Sequence, residues 1–255
     1  MILHGDYHTH TVYSDGIGTI EENVQSALFK GLKQIALTEH SFTHMMFGIS
    51  RNDLPKYKAE IEQVREKYKD KDIDILFGIE SNLINLDGDI DITMQEREMF
   101  DVLVVGYHKT YLPNSIANFF NFFLPNSYRI FKQSKKRIQK NTDAYIKAIK
   151  KYNIDIIAHL NYGGCRVDCV QIAKVAKQYG AYIELNGKRI LFTDREILDM
   201  QKTGVKFIIS SDAHQPKKVG KNSKAFNIIE RLGIPAEQVA NIDKIPTFKN
   251  YKKNN

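Results

Sequence analysis

Residues 206–214 have the sequence Lys-Phe-Ile-Ile-Ser-Ser-Asp-Ala-His, in which an apolar run is followed by Asp212 and His214. The apolar part, residues 206–210, predicts a β-strand, so the two polar side chains come directly after its carboxyl end. The other end of the chain has the same arrangement, because the predicted strand at residues 3–8 leads into His8-Thr-His10. Asp and His are common metal ligands, and their position after strands guides the prediction of the fold.

Seven apolar runs of strand length recur along the chain, with helical stretches between them. They are rich in Ile, Val, Leu and Phe instead of alternating with polar residues, which is typical of parallel strands buried on both faces. The predicted strands are residues 3–8, 34–38, 73–80, 101–106, 154–158, 181–185 and 206–210. Capping boxes, or a near variant of one, predict helix starts at Thr19, Thr93, Asp168 and Thr193.

Histidine or a carboxylate follows six of the seven predicted strands. In an open, doubly wound sheet the edge strands would end far from any single site, whereas a barrel brings all the carboxyl ends to one mouth. We therefore predict a single α/β domain over residues 1–255, with the form of a (β/α)7 TIM-like barrel. The one irregular part is a helical insertion at residues 109–151.

Composition indicates an ordinary globular protein. The chain has 255 residues, of which 42% are hydrophobic, and this length can bury one good core. It contains no apolar run of 18 residues and its first residues do not resemble a signal peptide, so we expect no membrane span and a cytoplasmic location. Cys165 and Cys169 are expected to be free thiols, with a redox pair or soft metal ligands as the alternative.

Positive charge is concentrated in residues 129–151, which hold nine Lys and Arg side chains against the single acid Asp143. Four phenylalanines, at positions 119, 120, 122 and 123, precede this segment. The charge either belongs to a solvated helix face or attracts an anionic substrate or a phosphate backbone. We expect the insertion to form a lid or subunit contact beside the mouth, in which case neutralising Lys135, Lys136 and Arg137 would raise KM.

Nine side chains near the strand ends are candidate metal ligands. Glu80 is the most informative, because an unpaired carboxylate at the edge of the core would be costly unless it bridged two cations or formed a salt bridge. Imidazole and carboxylate together suit Zn, Mn or Fe, and nine ligands are too many for one ion, so we predict two or three divalent ions and a hydrolytic reaction. The nine are His8, His10, Asp15, His40, Glu80, His108, His159, Asp212 and His214.

The order of these motifs, from Asp6-x-His-x-His to Ser211-Asp-Ala-His214, resembles the PHP (polymerase and histidinol phosphatase) family. The resemblance implies a distorted (β/α)7 barrel with a trinuclear centre that hydrolyses phosphoesters, with Glu80, Asp212 and His214 in catalytic positions. It further implies three ligand sets, of which the first two share Glu80. They are His8, His10, Glu80 and Asp212 for one ion, Glu80, His108 and His159 for the second, and Asp15, His40 and His214 for the third.

The leading functional prediction is hydrolysis of a small anionic phosphomonoester by a metal-activated water, with histidinol phosphate as the substrate most typical of the family. Candidate cations for binding the phosphate are Arg51, Arg166, Lys188 and Arg189. A nucleotide or nucleic-acid phosphoesterase is an alternative, mildly favoured by the basic segment and its phenylalanines. An amidohydrolase-like C–N hydrolase is a second alternative, although no lysine at a predicted strand end provides the bridging group of its binuclear form.

Overall fold

The computed structural model describes residues 1–127 and 133–251. Within them the strands form one seven-stranded sheet in chain order, and every neighbouring pair is parallel. The strands are β1 (Gly5–Asp6), β2 (Gln34–His40), β3 (Asp74–Asn82), β4 (Val102–Gly106), β5 (Ile156–Ile157), β6 (Tyr182–Asn186) and β7 (Phe207–Ser210).

The sheet closes on itself between its first and last strands. Just beyond β1 and β7, Thr9 and Ala213 form a parallel bridge. The N–H of His10 donates to the carbonyl of Ala213 at 2.8 Å, and the N–H of Ala213 donates to the carbonyl of His8 at 3.3 Å. This closure confirms the predicted barrel and excludes the open sheet. It also brings His8 and His10, near one end of the chain, next to Asp212 and His214, near the other.

Helices connect successive strands on the outside of the barrel. The predicted capping boxes at Thr19, Thr93 and Thr193 are present, and Asp168 accepts hydrogen bonds from the N–H groups of Val170 and Gln171. The α-helices in the described residues are α1 (Ile20–Phe29), α2 (Leu54–Lys67), α3 (Met94–Arg97), α4 (Ile116–Asn118), α5 (Leu124–Ser127), α6 (Lys135–Lys151), α7 (Cys169–Tyr179), α8 (Asp194–Lys202) and α9 (Ser223–Leu232), and a π-helical turn (Phe119–Phe123) joins α4 to α5.

Strands β1 and β5 contain only two residues each, fewer than predicted. Two candidate ligands depart from strand geometry: His159, just after β5, has a φ of 27°, and Asp212, just after β7, has a φ of 52°. Non-glycine residues seldom adopt positive φ, and such residues concentrate at functional sites. The strand ends are therefore bent where the side chains turn towards the mouth, and this irregularity agrees with the distorted barrel that the family resemblance implied.

The prediction of one insertion at residues 109–151 requires a correction. Helix α6 is the regular helix that joins β4 to β5, because it buries Ala144, Tyr145, Ala148 and Ile149 in the main core. Its basic residues occupy the opposite, solvated face, whereas Arg129 and Lys132 lie outside the described residues. The irregular segment is consequently shorter and precedes α6.

One buried ion pair links α3 to the start of β5. Arg97 Nη2 lies 2.7 Å from Asp155 Oδ2, and the two side chains are 0% and 1% exposed. Asp155 also accepts a hydrogen bond from the N–H of Leu103 at 2.9 Å, and Arg97 donates to the carbonyl of Phe100 at 2.7 Å. Both charges are therefore satisfied inside the protein.

Asp155→Asn should lower the free energy of unfolding by about 3–5 kcal/mol, because it leaves the buried guanidinium of Arg97 without its counter-charge. Urea unfolding followed by circular dichroism measures the change. Asp87→Asn is the matched control, since Asp87 is 82% exposed and lies 3.7 Å from Lys147. That control should cost less than about 1 kcal/mol. Equal losses for the two variants would contradict the importance of the buried pair.

In the described part of the chain, no helix combines the length and apolar character needed to cross a membrane.

Candidate metal centre

Glu80 lies at the centre of the barrel mouth. It is in β3, where the parallel register sets it beside His40 at the end of β2. Its side chain is fully buried, and five imidazole nitrogens lie within 3.6 Å of its carboxylate oxygens. The distances are 3.2 Å to His8 Nε2, 3.6 Å to His10 Nε2, 2.8 Å to His40 Nδ1, 3.4 Å to His108 Nε2 and 2.7 Å to His159 Nε2.

The other two carboxylates lie on the solvent side of this cluster. Asp15 Oδ1 is 3.5 Å from His40 Nε2, and Asp15 Oδ2 is 3.1 Å from His214 Nε2. Asp212 Oδ1 is 3.7 Å from His10 Nε2 and 3.4 Å from His214 Nδ1. The structure thus brings all nine candidate ligands into one contiguous cluster.

Several buried ligand atoms in this cluster make no hydrogen bond to any described residue: His8 Nε2, His10 Nε2, Asp15 Oδ1 and Glu80 Oε2. Buried polar atoms are seldom left without a partner, and a divalent cation would satisfy them. Four groups of three side chains each have ligand atoms within 4.8 Å of one another. They are His10, His40 and His214; His8, Glu80 and His159; His8, His10 and Asp212; and His40, Glu80 and His108. The donor set therefore fits a centre with more than one ion.

Three of these four groups combine residues from different sets of the family resemblance, because His8, His10 and His40 each lie close to ligands of a second set. His40 contacts Glu80 as well as Asp15, although the resemblance places it only with Asp15 and His214. The assignment of ligands to individual ions accordingly stays a prediction.

Electrostatics in the cluster favour a charged Glu80. Burial by itself would raise the pKa of the Glu80 carboxyl, but His8 and the neighbouring imidazoles hold that pKa well below its usual value. Burial would lower the pKa of His8, yet Glu80 and Glu184 raise it well above 6.5. Burial and repulsion between imidazoles lower the pKa of His10 and His108. Because ions bind neutral imidazole, they compete with protons, and metal affinity should rise with pH.

Glu184 in β6 supports two ligands, although it was not predicted as a site residue. Its Oε1 lies 2.8 Å from His8 Nδ1, and its Oε2 accepts the N–H of His159 at 2.9 Å. A carboxylate behind a ligating imidazole fixes the orientation of the ring and increases its basicity. Asn186 donates to the same carboxylate at 3.0 Å, so Glu184 is held in place.

His44 was not predicted as a site residue either, because it lies outside the strand-end pattern. Its ring stacks on His40 with a centroid distance of 4.7 Å, and its Nε2 is 2.7 Å from Thr110 Oγ1. An isolated bridge between His44 and Tyr111 joins the loop after β2 to the segment after β4. The two loops together form one wall of the mouth.

A cavity opens above the cluster, and two of the four proposed phosphate-binding cations line it, namely Lys188 and Arg189. Lys188 Nζ is 3.6 Å from Asp212 Oδ1, and the guanidinium of Arg189 lies 4.8 Å from the centre of the Tyr162 ring. Arg166 and Arg51 are not among the residues that line this cavity, and Arg51 pairs instead with Glu96 at 2.6 Å. Of the four cations, Lys188 and Arg189 therefore have the positions that the prediction requires.

The two cysteines lie away from this chemistry. Cys165 and Cys169 are free and buried, and burial raises the pKa of both thiols, in Cys169 to about 12. A buried thiol of raised pKa is inert, so neither alternative proposed for the pair gains support.

The cations of α6 are not among the residues that line the cavity, and the lid hypothesis for residues 109–151 stays a prediction. Lys135 and Lys136 are exposed on α6, Arg137 donates to the carbonyl of Asn121 at 2.6 Å, and none of the three lines the cavity. Replacing all three with Ala should leave KM for a phosphoester unchanged, whereas Arg189→Ala should raise it. Steady-state kinetics at low ionic strength tests this, and a raised KM in the triple variant would support the lid hypothesis.

Comparison with known proteins agrees with this architecture. A family model described as the PHP domain matches residues 6–190. A probable phosphatase of Caldanaerobacter subterraneus subsp. tengcongensis is 28% identical over 261 residues, covering 97% of this chain and 91% of that protein. A probable phosphatase of Aliivibrio fischeri is 25% identical over 250 residues, covering 92% and 87%.

Two solved structures share the fold. The histidinol phosphate phosphatase of Lactococcus lactis, complexed with zinc, L-histidinol and phosphate, aligns with a TM-score of 0.65 at 20% identity and covers 98% of both chains. A histidinol phosphatase described as putative, from Listeria monocytogenes, aligns with a TM-score of 0.63 at 14% identity, covering 87% of this chain and 99% of that one. The match of the family model over most of the sequence, together with the barrel, shows that this chain belongs to the PHP domain family.

Proposed function

We propose that this protein is a metal-dependent phosphomonoesterase. The observation that carries the proposal is the convergence of nine candidate N and O ligands, the buried Glu80 among them, directly beneath a cavity lined by Lys188 and Arg189. Relatives that match over nearly the whole chain are named probable phosphatases, which supports the same class of reaction. Several buried ligand atoms, Glu80 Oε2 among them, make no hydrogen bond to a described residue, and bound cations would satisfy them.

Two or three divalent ions, of Zn, Mn or Fe, would be held by the nine residues of the cluster. When bound, such ions lower the pKa of a water molecule, so that it can attack phosphorus at neutral pH, and they neutralise charge on the phosphoryl oxygens. Glu80 would be shared between ligand sets, while Asp212 and His214 would complete the cluster on the solvent side, where both line the cavity. We propose all three as catalytic residues, as the family resemblance implies.

The chain's own cations would bind and orient the phosphate. Lys188 Nζ lies 3.3 Å from His214 Nδ1 and close to Asp212, so its ammonium can donate to a phosphoryl oxygen at the edge of the cluster. The guanidinium of Arg189 is restrained by its contact with Tyr162 and presents a planar, multidentate donor. Phe47 and Tyr162 line the same cavity, so a bound substrate would lie against two aromatic rings.

No specific observation supports either of the two alternative functions, the nucleic-acid phosphoesterase or the C–N hydrolase. The basic residues of α6, which favoured a nucleic-acid substrate, do not line the cavity. A C–N hydrolase of the binuclear type would need a lysine between two ions, and Lys188, at 40% exposure, lies at the rim of the cluster.

A substrate screen tests the proposal. The protein would be incubated with histidinol phosphate, nucleoside monophosphates, sugar phosphates and a phosphodiester, with Mn and Zn in parallel, and released phosphate would be measured. We expect metal-dependent release from at least one monoester, with the diester hydrolysed more slowly. Release of phosphate from none of these monoesters under any metal condition would refute the proposal. Histidinol phosphate itself stays one candidate substrate among these.

A further inference from the structure

A second cavity adjoins the metal centre, on the side of the loops that follow β6 and β7. Lys188, Asp212 and His214 line both cavities, so the second opens directly from the first. Its far wall is formed by the loop after β7 and by the first residues of α9. A substrate whose phosphate lies above the cluster can therefore extend into this space.

The second cavity is strongly cationic. Lys188, Lys218, Lys221 and Lys224 line it, and Asp212 is the one carboxylate among its lining residues. Lys188 pairs with that carboxylate, whereas Lys218, Lys221 and Lys224 form no ion pair with any described acidic residue. The positive charges of these three lysines line the cavity, and no carboxylate of a described residue pairs with them.

Like charges are crowded at this wall. The pKa of the Lys218 ammonium is lowered, first by repulsion from Lys221 and further by Lys217. Lys224 is drawn towards the active site by a hydrogen bond from its Nζ to the carbonyl of Lys188 at 3.0 Å. An anion between these groups would relieve the repulsion and gain several charge-assisted hydrogen bonds.

Backbone groups add to the positive potential. Helix α9 begins at Ser223, its first turn has no acidic residue, and both facts favour an anion near its N-terminal N–H groups. The preceding Asn222 is only 3% exposed, and its amide oxygen and nitrogen make no hydrogen bond to a described residue. Gly187 lines the cavity beside this amide, and a Cβ at position 187 would lie 2.3 Å from Asn222 Oδ1. Only glycine therefore fits next to Asn222 at this position.

We propose that this lysine cavity binds a second anionic group of the substrate, so that the preferred phosphomonoester carries another phosphate or carboxylate on its leaving group. The inference rests on the proposed phosphomonoesterase function and deepens it by naming the substrate class. It disfavours leaving groups that carry a positive charge, such as histidinol, because three unpaired lysines would repel them.

Matched pairs of simple esters test the proposal. For alkane-1,n-diols with three, four and six carbons, kcat/KM would be measured for the monophosphate and the bisphosphate with the metal-loaded protein at low salt. Two equivalent phosphates account for a factor of about two on statistical grounds alone. For one chain length, we expect kcat/KM for the bisphosphate to exceed kcat/KM for the monophosphate by about tenfold, which is the size of effect that two exposed lysines can supply. This ratio should decrease with added salt.

The double variant Lys218→Ala/Lys221→Ala should reduce this ratio towards two. Lys174→Ala/Lys206→Ala is the matched control, because it removes the same charge from exposed positions outside both cavities and should keep the wild-type ratio. A ratio of two or less at every chain length overturns the proposal, and so does a preference that survives in the Lys218 and Lys221 double variant.

A binding experiment separates this inference from the proposed function. Calorimetric titration with alkane-1,n-bisphosphonates and alkylphosphonates, which are not hydrolysed, needs no turnover. If the protein hydrolyses no monoester, the proposed function fails, and the titration alone decides the second site. Tighter binding of a bisphosphonate that depends on Lys218 and Lys221 supports the site, and equal binding of both ligand types overturns it.

Discussion

Glu80→Gln is expected to remove nearly all hydrolytic activity and most of the bound metal while leaving the fold intact. The amide has the same shape as the carboxylate, but it removes the negative charge that lies within 3.6 Å of five imidazole nitrogens. Loss of a residue that hydrogen-bonds to a metal ligand typically lowers metal affinity or activity 10–100-fold. Loss of the central carboxylate should therefore lower activity by more than about 100-fold. Phosphate release and elemental analysis of the purified variant measure the two effects.

Asp91→Asn provides the control for this change. Asp91 is also a buried carboxylate, but it accepts hydrogen bonds from Ser81 Oγ at 2.6 Å and from the N–H of Asn82 at 2.9 Å, and it belongs to none of the four ligand groups. We expect this control to retain its metal. Near wild-type activity and metal content in Glu80→Gln would show that Glu80 does not bridge ligand sets.

Glu184→Gln is expected to lower metal affinity and activity by about 10–100-fold, the range found when a carboxylate behind a metal ligand is lost. The amide can keep one hydrogen bond, but it cannot stabilise the His8 ring as the carboxylate does at 2.8 Å from Nδ1. The effect should appear chiefly as weaker metal binding, so activity should recover in part at high concentrations of Mn or Zn. Titration of activity against free metal would reveal this shift.

A structural defect would give a different result for Glu184→Gln. Loss of activity that no metal concentration restores, together with a lower unfolding midpoint in urea, would mean that Glu184 supports the barrel and not the ligands. An unchanged metal titration would show that the contact with His8 has no influence on the centre.

The barrel could be predicted because its strands and its polar side chains are both visible along the chain. Each buried strand appears as a short apolar run, and six of the seven lead into a histidine or a carboxylate. That pattern is enough to predict that the strand ends surround one site, as they do in a barrel. The bridge between Thr9 and Ala213, which closes the sheet, agrees with this prediction. Helix starts were similarly visible, because a capping box is a local signal of four residues.

The features that were missed depend on contacts between distant parts of the chain. Glu184 lies inside a predicted strand, where nothing in the local pattern shows that its carboxylate meets His8, 176 residues away. His44 lies on a loop and comes to the mouth through its hydrogen bond with Thr110, 66 residues further along the chain. The role of α6 was misjudged because its many cations suggested a functional surface, whereas its apolar face, buried at Tyr145 and Ile149, determines its place in the barrel.

The metal content of the protein tests the proposed centre most directly. Elemental analysis after gentle purification, or after incubation with Mn, Zn or Fe and removal of unbound metal, should give two or three divalent ions per chain. Those ions should be largely lost from Glu80→Gln and retained in Asp91→Asn. One ion or none in the wild-type protein, with no phosphatase activity gained on adding any of the three metals, would contradict the central claim that these nine side chains form a metal centre.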